Sequence, residues 1–239
     1  MQESAKSEVT ISIIIPVLNE REGVIKVVDY LRKIKGGCPI EIIVVDGDKK
    51  GSTIQYIHDK DVIAIKSQRG RAIQMNNGAK RACGDVLLFL HADTFIPHNA
   101  FEHIIAVMRT EKYVGGAFDL GFVSKKWVFK LIASVASLRS RITRIPFGDQ
   151  TIFIKRNYFE KIGGYTNIPF MEDIELMQRI KKRGDKIHII PAKVITSTRK
   201  WEEDGTLFTM LRNWLLQFFY LAGVSPKKLV RYYYKQEDL

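Results

Sequence analysis

Cysteine is scarce in this chain: Cys38 and Cys83 stand alone among 239 residues, far apart and outside any C-x-x-C spacing. That count excludes a disulfide framework and a zinc ribbon, and a reducing, cytoplasmic setting is expected. No run reaches the roughly 18 consecutive apolar residues that a spanning helix requires, so any membrane contact is expected peripherally, on the inner face. The run Ile11 to Val17 is short and interrupted by Ser12 and Pro16, unlike the core of a signal peptide. Low-complexity tracts and internal repeats are missing too, which removes solenoid and linker classes. Finally, no glycine-rich loop follows the first β-type run. Pro16-Val17-Leu18-Asn19-Glu20 stands there, and glycine first occurs at Gly23. Walker-type and dinucleotide-binding turns, which cradle phosphate on backbone N–H groups, are thereby disfavoured. Phosphate must be met by a metal or by cationic side chains.

Acidic residues are also under-represented: 26 Asp and Glu against 38 Lys and Arg leave a formal charge of +12. The excess implies an anionic partner, whether phosphorylated substrate, acidic lipid or nucleic acid. The basic residues concentrate in Lys125 to Arg144, Arg179 to Lys186 and Lys227 to Lys235, mostly at helical spacing among apolar positions. Solvated helix faces account for such clusters equally well, and no nucleic-acid reader module is recognisable.

What is present reads as an α/β chain. Val9 to Val17 and Glu41 to Asp46 are β-branched runs, and between them Val24, Val27, Val28, Leu31 and Ile34 recur at helical spacing. Near-continuous apolar strands joined by a crossover helix predict a parallel sheet covered on both faces. The pattern repeats through a strand at Val62 to Lys66, a helix over Arg71 to Cys83, a strand at Val86 to Leu90 and a helix from near Pro97 to Arg109. Beyond Tyr113 alternation is less regular and a mixed sheet is expected. Its strands fall at Gly116 to Phe122, Thr151 to Lys155 and Lys186 to Thr196, with helices at Trp127 to Leu138 and Glu172 to Arg183. We expect a flexible N-terminus over 1–8, one domain over 9–204, and a C-terminal amphipathic helix with a basic tail over 205–239.

Ligands of open parallel sheets bind beyond the carboxyl ends of the strands. Four polar groups sit at such places: Asn19-Glu20, Asp46, His91-Ala92-Asp93 and Gly148-Asp149-Gln150. Any one carboxylate there can equally cap the next helix or turn. Recurrence after successive strands favours a shared crevice.

The strings Ile15 to Glu20, Val44 to Gly47, Arg69-Gly70-Arg71-Ala72 with Gln74 to Asn76, His91 to Thr94, Pro146 to Gln150 and Met171 to Leu176 resemble family 2 glycosyltransferases of the GT-A fold. More narrowly they resemble the small single-domain, selenodomain-associated transferases, over about Val9 to Tyr234. The resemblance implies the nucleotide-diphospho-sugar transferase fold, a mixed, mainly parallel sheet flanked by helices. It also implies inverting transfer of a sugar from a nucleotide diphosphate, UDP-sugar favoured, to a hydroxyl acceptor. In that pattern Asp46 contacts the nucleoside, Pro16, Asn19 and Glu20 pack on the base, and Arg69, Arg71, Asn76 and Ala92 complete the donor side. Asp93 ligates a Mg or Mn that bridges the diphosphate, a hard cation preferring oxygen. Asp173, with Glu172 beside it, is cast as the base. Asp149, Gln150, Arg199 and Trp201 line the acceptor side.

Two departures stand out. The family places aspartates around one residue, whereas His91 is first here, as second metal ligand or as a hydrogen-bonding wall residue. The loop after Asp46 reads Asp48-Lys49-Lys50-Gly51-Ser52-Thr53, which moves the second carboxylate to Asp48. Leu207 to Leu221 has three readings: a core helix, a homodimer contact, or an interfacial helix on an anionic membrane with Lys227, Lys228, Arg231 and Tyr232 to Tyr234. Two other functions fit parts of the pattern, a sugar-phosphate nucleotidyltransferase and a non-catalytic nucleic-acid-binding protein. The missing glycine-rich loop argues against the first and the missing reader module against the second.

Overall fold

A computed structural model describes residues 9–233. The segment expected to be flexible, 1–8, and the end of the basic tail, including Tyr234 and Lys235, lie outside the described residues. The strands are β1 (Ile11–Val17), β2 (Ile40–Asp46), β3 (Val62–Lys66), β4 (Val86–Phe89), β5 (Thr94–Phe95), β6 (Gly115–Phe122), β7 (Phe153–Lys155) and β8 (Ile187–Thr196). The helices are α1 (Arg21–Ile34), α2 (Arg71–Arg81), α3 (Ala100–Arg109), α4 (Trp127–Thr143), α5 (Arg156–Lys161), α6 (Glu172–Lys182), α7 (Arg199–Glu203), α8 (Thr206–Leu221) and α9 (Pro226–Tyr233).

All eight strands join one sheet in the order β3-β2-β1-β4-β7-β6-β8-β5. The first four are parallel, β7 runs antiparallel to both β4 and β6, β6 and β8 are parallel, and β5 closes the edge antiparallel to β8. The alternation of β1 explains its unbroken apolar run. Ile11, Ile13 and Ile15 enter one core with Val24, Val27, Val28 and Leu31 of α1, while Ile14 enters the opposite core with Met75 and Ala79 of α2. A strand buried on both faces cannot show the hydrophobic-polar alternation of a half-exposed one.

Strand order reverses beside β1: β2 and β3 lie to one side of it and β4 to the other. Such a switch point leaves a crevice at the carboxyl ends of β1 and β4, which continue into Asn19-Glu20 and His91-Ala92-Asp93. The crevice is tight at the rear, where a β-carbon built at Gly23 would lie 2.8 Å from the Ala92 carbonyl oxygen. Helix α1 can begin this close to the β4 turn because no side chain intervenes.

The C-terminal helices pack on this crevice and do not form a separate unit. Leu216 of α8 and Leu229 and Val230 of α9 are buried against Phe170, Met171 and Ile174, and Tyr233 stacks on Phe170 with ring centroids 4.4 Å apart. The sequence division at residue 204 therefore cuts through a shared small core.

Candidate active site

At the switch point lies a cavity of about 380 Å³. Pro16, Glu20, Ala92 and Asp93 form its strand-end side, Arg71, His91, Asp149 and Asp173 its floor, and Phe147, Trp201, Asn213, Gln217 and Tyr233 the opposite wall. The turns that build the floor carry backbone strain. Thr151 and Met171 adopt left-handed conformations with φ of 54° and 65°, and for a β-branched residue such as Thr151 that is a rare state. Left-handed residues cost on the order of 1–2 kcal/mol and persist where the surroundings over-determine them. Here Met171 is the N-cap of α6, whose first turn carries Glu172, Asp173 and Glu175, and of these Asp173 lines the cavity.

Asp173 lies at the start of that helix. Its Oδ2 accepts a hydrogen bond from the Gly148 N–H at 2.6 Å and its Oδ1 one from the Ile174 N–H at 2.8 Å. These two backbone donors fix the orientation of the carboxylate at the N-terminal end of the helix. Gly148 must be small: a β-carbon there would stand 3.2 Å from His91 Nε2 and 3.5 Å from Asp173 Oδ2. His91 has its pKa lowered by burial, with the Arg71 charge acting the same way against Asp93 and Asp173, so the imidazole is neutral at pH 7. Glu172 turns away into the protein. Its carboxylate is buried and meets Arg71 Nε at 3.0 Å. Burial pushes its pKa up, Arg71 opposes this, and Asp173 adds to it.

Asp149 differs from its neighbours. Burial raises its pKa to about 6, with the Arg139 guanidinium opposing and the Asp173 and Asp93 charges reinforcing the shift. Its Oδ1 is buried and, among the described residues, has no hydrogen-bond partner. A buried acceptor left this way costs on the order of 1–3 kcal/mol unless a ligand supplies a donor. Arg139 lies over the Phe147 ring, 3.4 Å from its centroid, and donates from Nη1 to Gln217 Oε1 at 3.4 Å. Burial lowers its pKa as well.

Several predicted site residues stand elsewhere. Asp46 has no exposed surface, and its oxygens accept hydrogen bonds from the N–H groups of Asp48 (2.9 Å), Thr53 (2.7 Å) and Ile54 (3.1 Å). In place of a direct nucleoside contact, the structure gives it the role of anchoring the 47–54 loop. Asn19 adopts φ of 55° and accepts from Ser52 Oγ of that loop at 3.0 Å. Asn76 is spent on Tyr165, donating to its carbonyl at 2.8 Å and accepting from its N–H at 2.9 Å. Gln150 is fully buried, donates to the Phe118 carbonyl and accepts from Ser140 Oγ and the Phe147 N–H, so it lies behind the cavity wall. Arg69 is exposed outside the cavity. Arg199 does reach the cavity and pairs with Glu20 at 2.7 Å, a strap between β1 and the segment after β8. Trp201 lines the cavity while its ring makes T-shaped contacts with Phe122 and Phe129.

Sequence reasoning missed the wall residues Asn213, Gln217 and Tyr233. A signal existed: Thr209, Arg212, Asn213 and Gln217 recur at helical spacing through an otherwise apolar helix.

Among the described residues, no three His, Cys, Asp or Glu side chains converge into a group able to hold a metal ion. Asp93 lines the cavity and accepts a hydrogen bond from Thr94 Oγ1 at 3.3 Å. Asp93 on its own suits a Mg or Mn that arrives with a diphosphate, since such ions take one or two carboxylates and complete their shell with phosphate and water. It does not suit a resident metal held by protein alone.

Fold and cavity together define a GT-A-type architecture, a mixed, mainly parallel sheet with a crevice at its switch point. The family model "Glycosyl transferase family 2" matches residues 12–171, well over half of the chain, and the protein belongs to that family. It is similar to the dolichol-phosphate mannosyltransferase of Pyrococcus furiosus, 28% identical over 142 residues that cover 55% of this chain and 40% of that one. It also resembles the glucosyl-3-phosphoglycerate synthase of Mycobacterium tuberculosis, 28% identical over 41% of this chain and 33% of that one. The probable glycosyltransferase YdaM of Bacillus subtilis is 24% identical across 85% of this chain and 53% of its own length. The chain thus spans about half or less of the length of these relatives. The crystal structure of S. aureus TarS superposes with a TM-score of 0.60 over 79% of this chain and 36% of that one, at 15% identity, a likeness of fold.

Proposed function

We propose that the cavity binds a nucleotide-diphosphate sugar, UDP-linked in the favoured case, and transfers the sugar with inversion to a hydroxyl acceptor. The observation that carries this reading is the convergence of Asp93, Asp149 and Asp173 in one cavity at the switch point. The nucleoside lies against Pro16 and Glu20, with the loop anchored by Asp46 as its further boundary. Asp93 holds a Mg or Mn together with the donor diphosphate, and that ion, when bound, offsets charge developing on the leaving group. Arg199 adds a second positive charge on the same side.

On the floor, Asp173 accepts the proton of the acceptor hydroxyl as that hydroxyl's oxygen attacks the anomeric carbon and the nucleoside diphosphate leaves. Asp149 Oδ1 receives a hydrogen bond from the same acceptor and so fixes its orientation. Glu172 supports this chemistry indirectly by holding Arg71 at the cavity edge. With both cysteines free thiols, the place of action in this reading is the reducing cytoplasm.

Incubation of the purified protein with UDP-, GDP- and dTDP-sugars and Mn tests the proposal. One donor should release its nucleoside diphosphate and raise the melting temperature, and Asp93→Ala should lose both responses to Mn. Absence of nucleoside diphosphate binding with and without metal would falsify it.

A further inference from the structure

Helix α8 is amphipathic in the wrong sense for a surface helix in water. Its inward line carries Asn213 and Gln217 to the cavity and Arg212 to an ion pair with Asp204 at 3.1 Å. Its outward face carries Leu207, Leu211, Trp214, Leu215, Phe218 and Leu221, every one about half exposed or more. Helix α4, tied to α8 through the Arg139–Gln217 hydrogen bond, repeats the feature. Trp127, Leu131, Val135, Leu138 and Ile142 follow one another at intervals of three or four residues, and Trp127 and Ile142 are 75% and 72% exposed. One helix face in that condition is ordinary. Two such faces, on helices joined by a hydrogen bond, expose more apolar side chain than a monomeric soluble protein usually leaves to water.

Charge selects the occupant. Helices α4, α8 and α9 contain no Asp or Glu and seven Lys or Arg. Arg139 is engaged at the cavity, and Arg141 and Arg212 are paired with Asp119 and Asp204. Lys130, Lys227, Lys228 and Arg231 remain exposed beside the apolar residues. A second copy of the chain would bring these like charges together. An anionic bilayer would neutralise them and receive the tryptophans at its interface, where amphipathic rings are favoured.

We propose that the outward faces of α4 and α8, with the basic residues of α9, dock this protein on an anionic lipid bilayer. No helix among the described residues is long and apolar enough to cross one, so the contact is peripheral. Because α8 has the cavity on its other side, docking places the site about one helix diameter, roughly 10 Å, from the lipid.

Vesicle flotation decides this. Wild-type protein is expected to float with vesicles of phosphatidylcholine and phosphatidylglycerol, and at least tenfold less with phosphatidylcholine alone or in 0.5 M salt (roughly threefold physiological ionic strength). The pairs Leu211→Glu/Phe218→Glu in α8 and Leu131→Glu/Leu138→Glu in α4 should each reduce flotation at least tenfold. Circular dichroism and the nucleoside diphosphate thermal shift should be unchanged in both, which separates failure of docking from failure of the transferase reading. Absence of flotation by the wild type would overturn the proposal. So would a wild-type dimer in light scattering that the same substitutions convert to monomer, and flotation that survives either pair would remove that helix from the surface.

Discussion

Two aspartates mark the contrast between the parallel half of the sheet and the floor beneath its mixed half. Asp46 is wholly buried at the end of β2, yet three backbone N–H groups satisfy it. Asp149, in the turn before β7, keeps a buried oxygen with no partner among the described residues and a pKa raised to about 6. Burial alone therefore does not predict the chemistry of a carboxylate. The donors around it do: a saturated carboxylate organises its own loop, and an unsaturated one beside a cavity awaits a ligand.

The largest effect should come from the floor. Asp173→Asn keeps the shape but removes the proton acceptor, and turnover should fall about 10³-fold with little change in donor affinity. A variant within tenfold of wild type would move the base elsewhere, Asp149 being the neighbour able to take it. Next comes Asp46, where the contrast predicts a loss of stability. Asp46→Ala leaves three backbone N–H groups, that of Thr53 buried, without their acceptor and should lower unfolding free energy by about 3 kcal/mol in urea titrations. A stable Asp46→Ala that merely failed to bind nucleotide would make Asp46 a ligand contact and dissolve the distinction.

Asp149 should behave in the opposite way. The unfolded side chain titrates near 3.9, so between about pH 4 and 6 the folded state retains a proton that the unfolded state has released. Stability from this group is therefore fullest below about pH 4, falls as pH rises through about 6, and stays low above it. Asp149→Asn removes the penalty. The variant should be more stable than wild type by roughly 2 kcal/mol at pH 8, with the gain shrinking to a few tenths near pH 4, while turnover drops. Equal stability of the two proteins at pH 8 would show that the orphaned oxygen is solvated.

The fold was largely legible because its strands are buried on both faces, which forces runs such as Ile11 to Ile15 and Ile42 to Val45 that few other structures need. Its missed pieces are those with little periodicity: the two-residue β5, the six-residue α5, the five-residue α7, and α9, which reads as a tail because its buried pair, Leu229 and Val230, covers barely one turn. The site was legible in position more than in role. Asp93, Asp149, Asp173, Arg199 and Trp201 do converge. Asn76 and Gln150 sit in motifs as conspicuous, but their partners, Tyr165 and Phe118, are 89 and 32 residues away in sequence, and hydrogen bonds of that reach leave no local trace. Left-handed φ at Thr151 and Met171 is equally invisible, since neither residue type favours it.

The smallest effect tests whether the strap across the cavity belongs with the saturated or the unsaturated region. Arg199 and Glu20 are 60% and 32% exposed in their side chains, and an ion pair so open to water contributes little to stability. Arg199→Ala should shift the unfolding midpoint by less than the equivalent of about 1 kcal/mol. Its guanidinium nevertheless faces the cavity that holds Asp93, where a diphosphate would compete with Glu20 for it. Removing it should raise KM for the nucleotide sugar several-fold, most strongly at low salt, and leave the response to Mn intact. An unchanged KM would make the strap structural, with Asp93 and its metal as the remaining grip on the donor diphosphate.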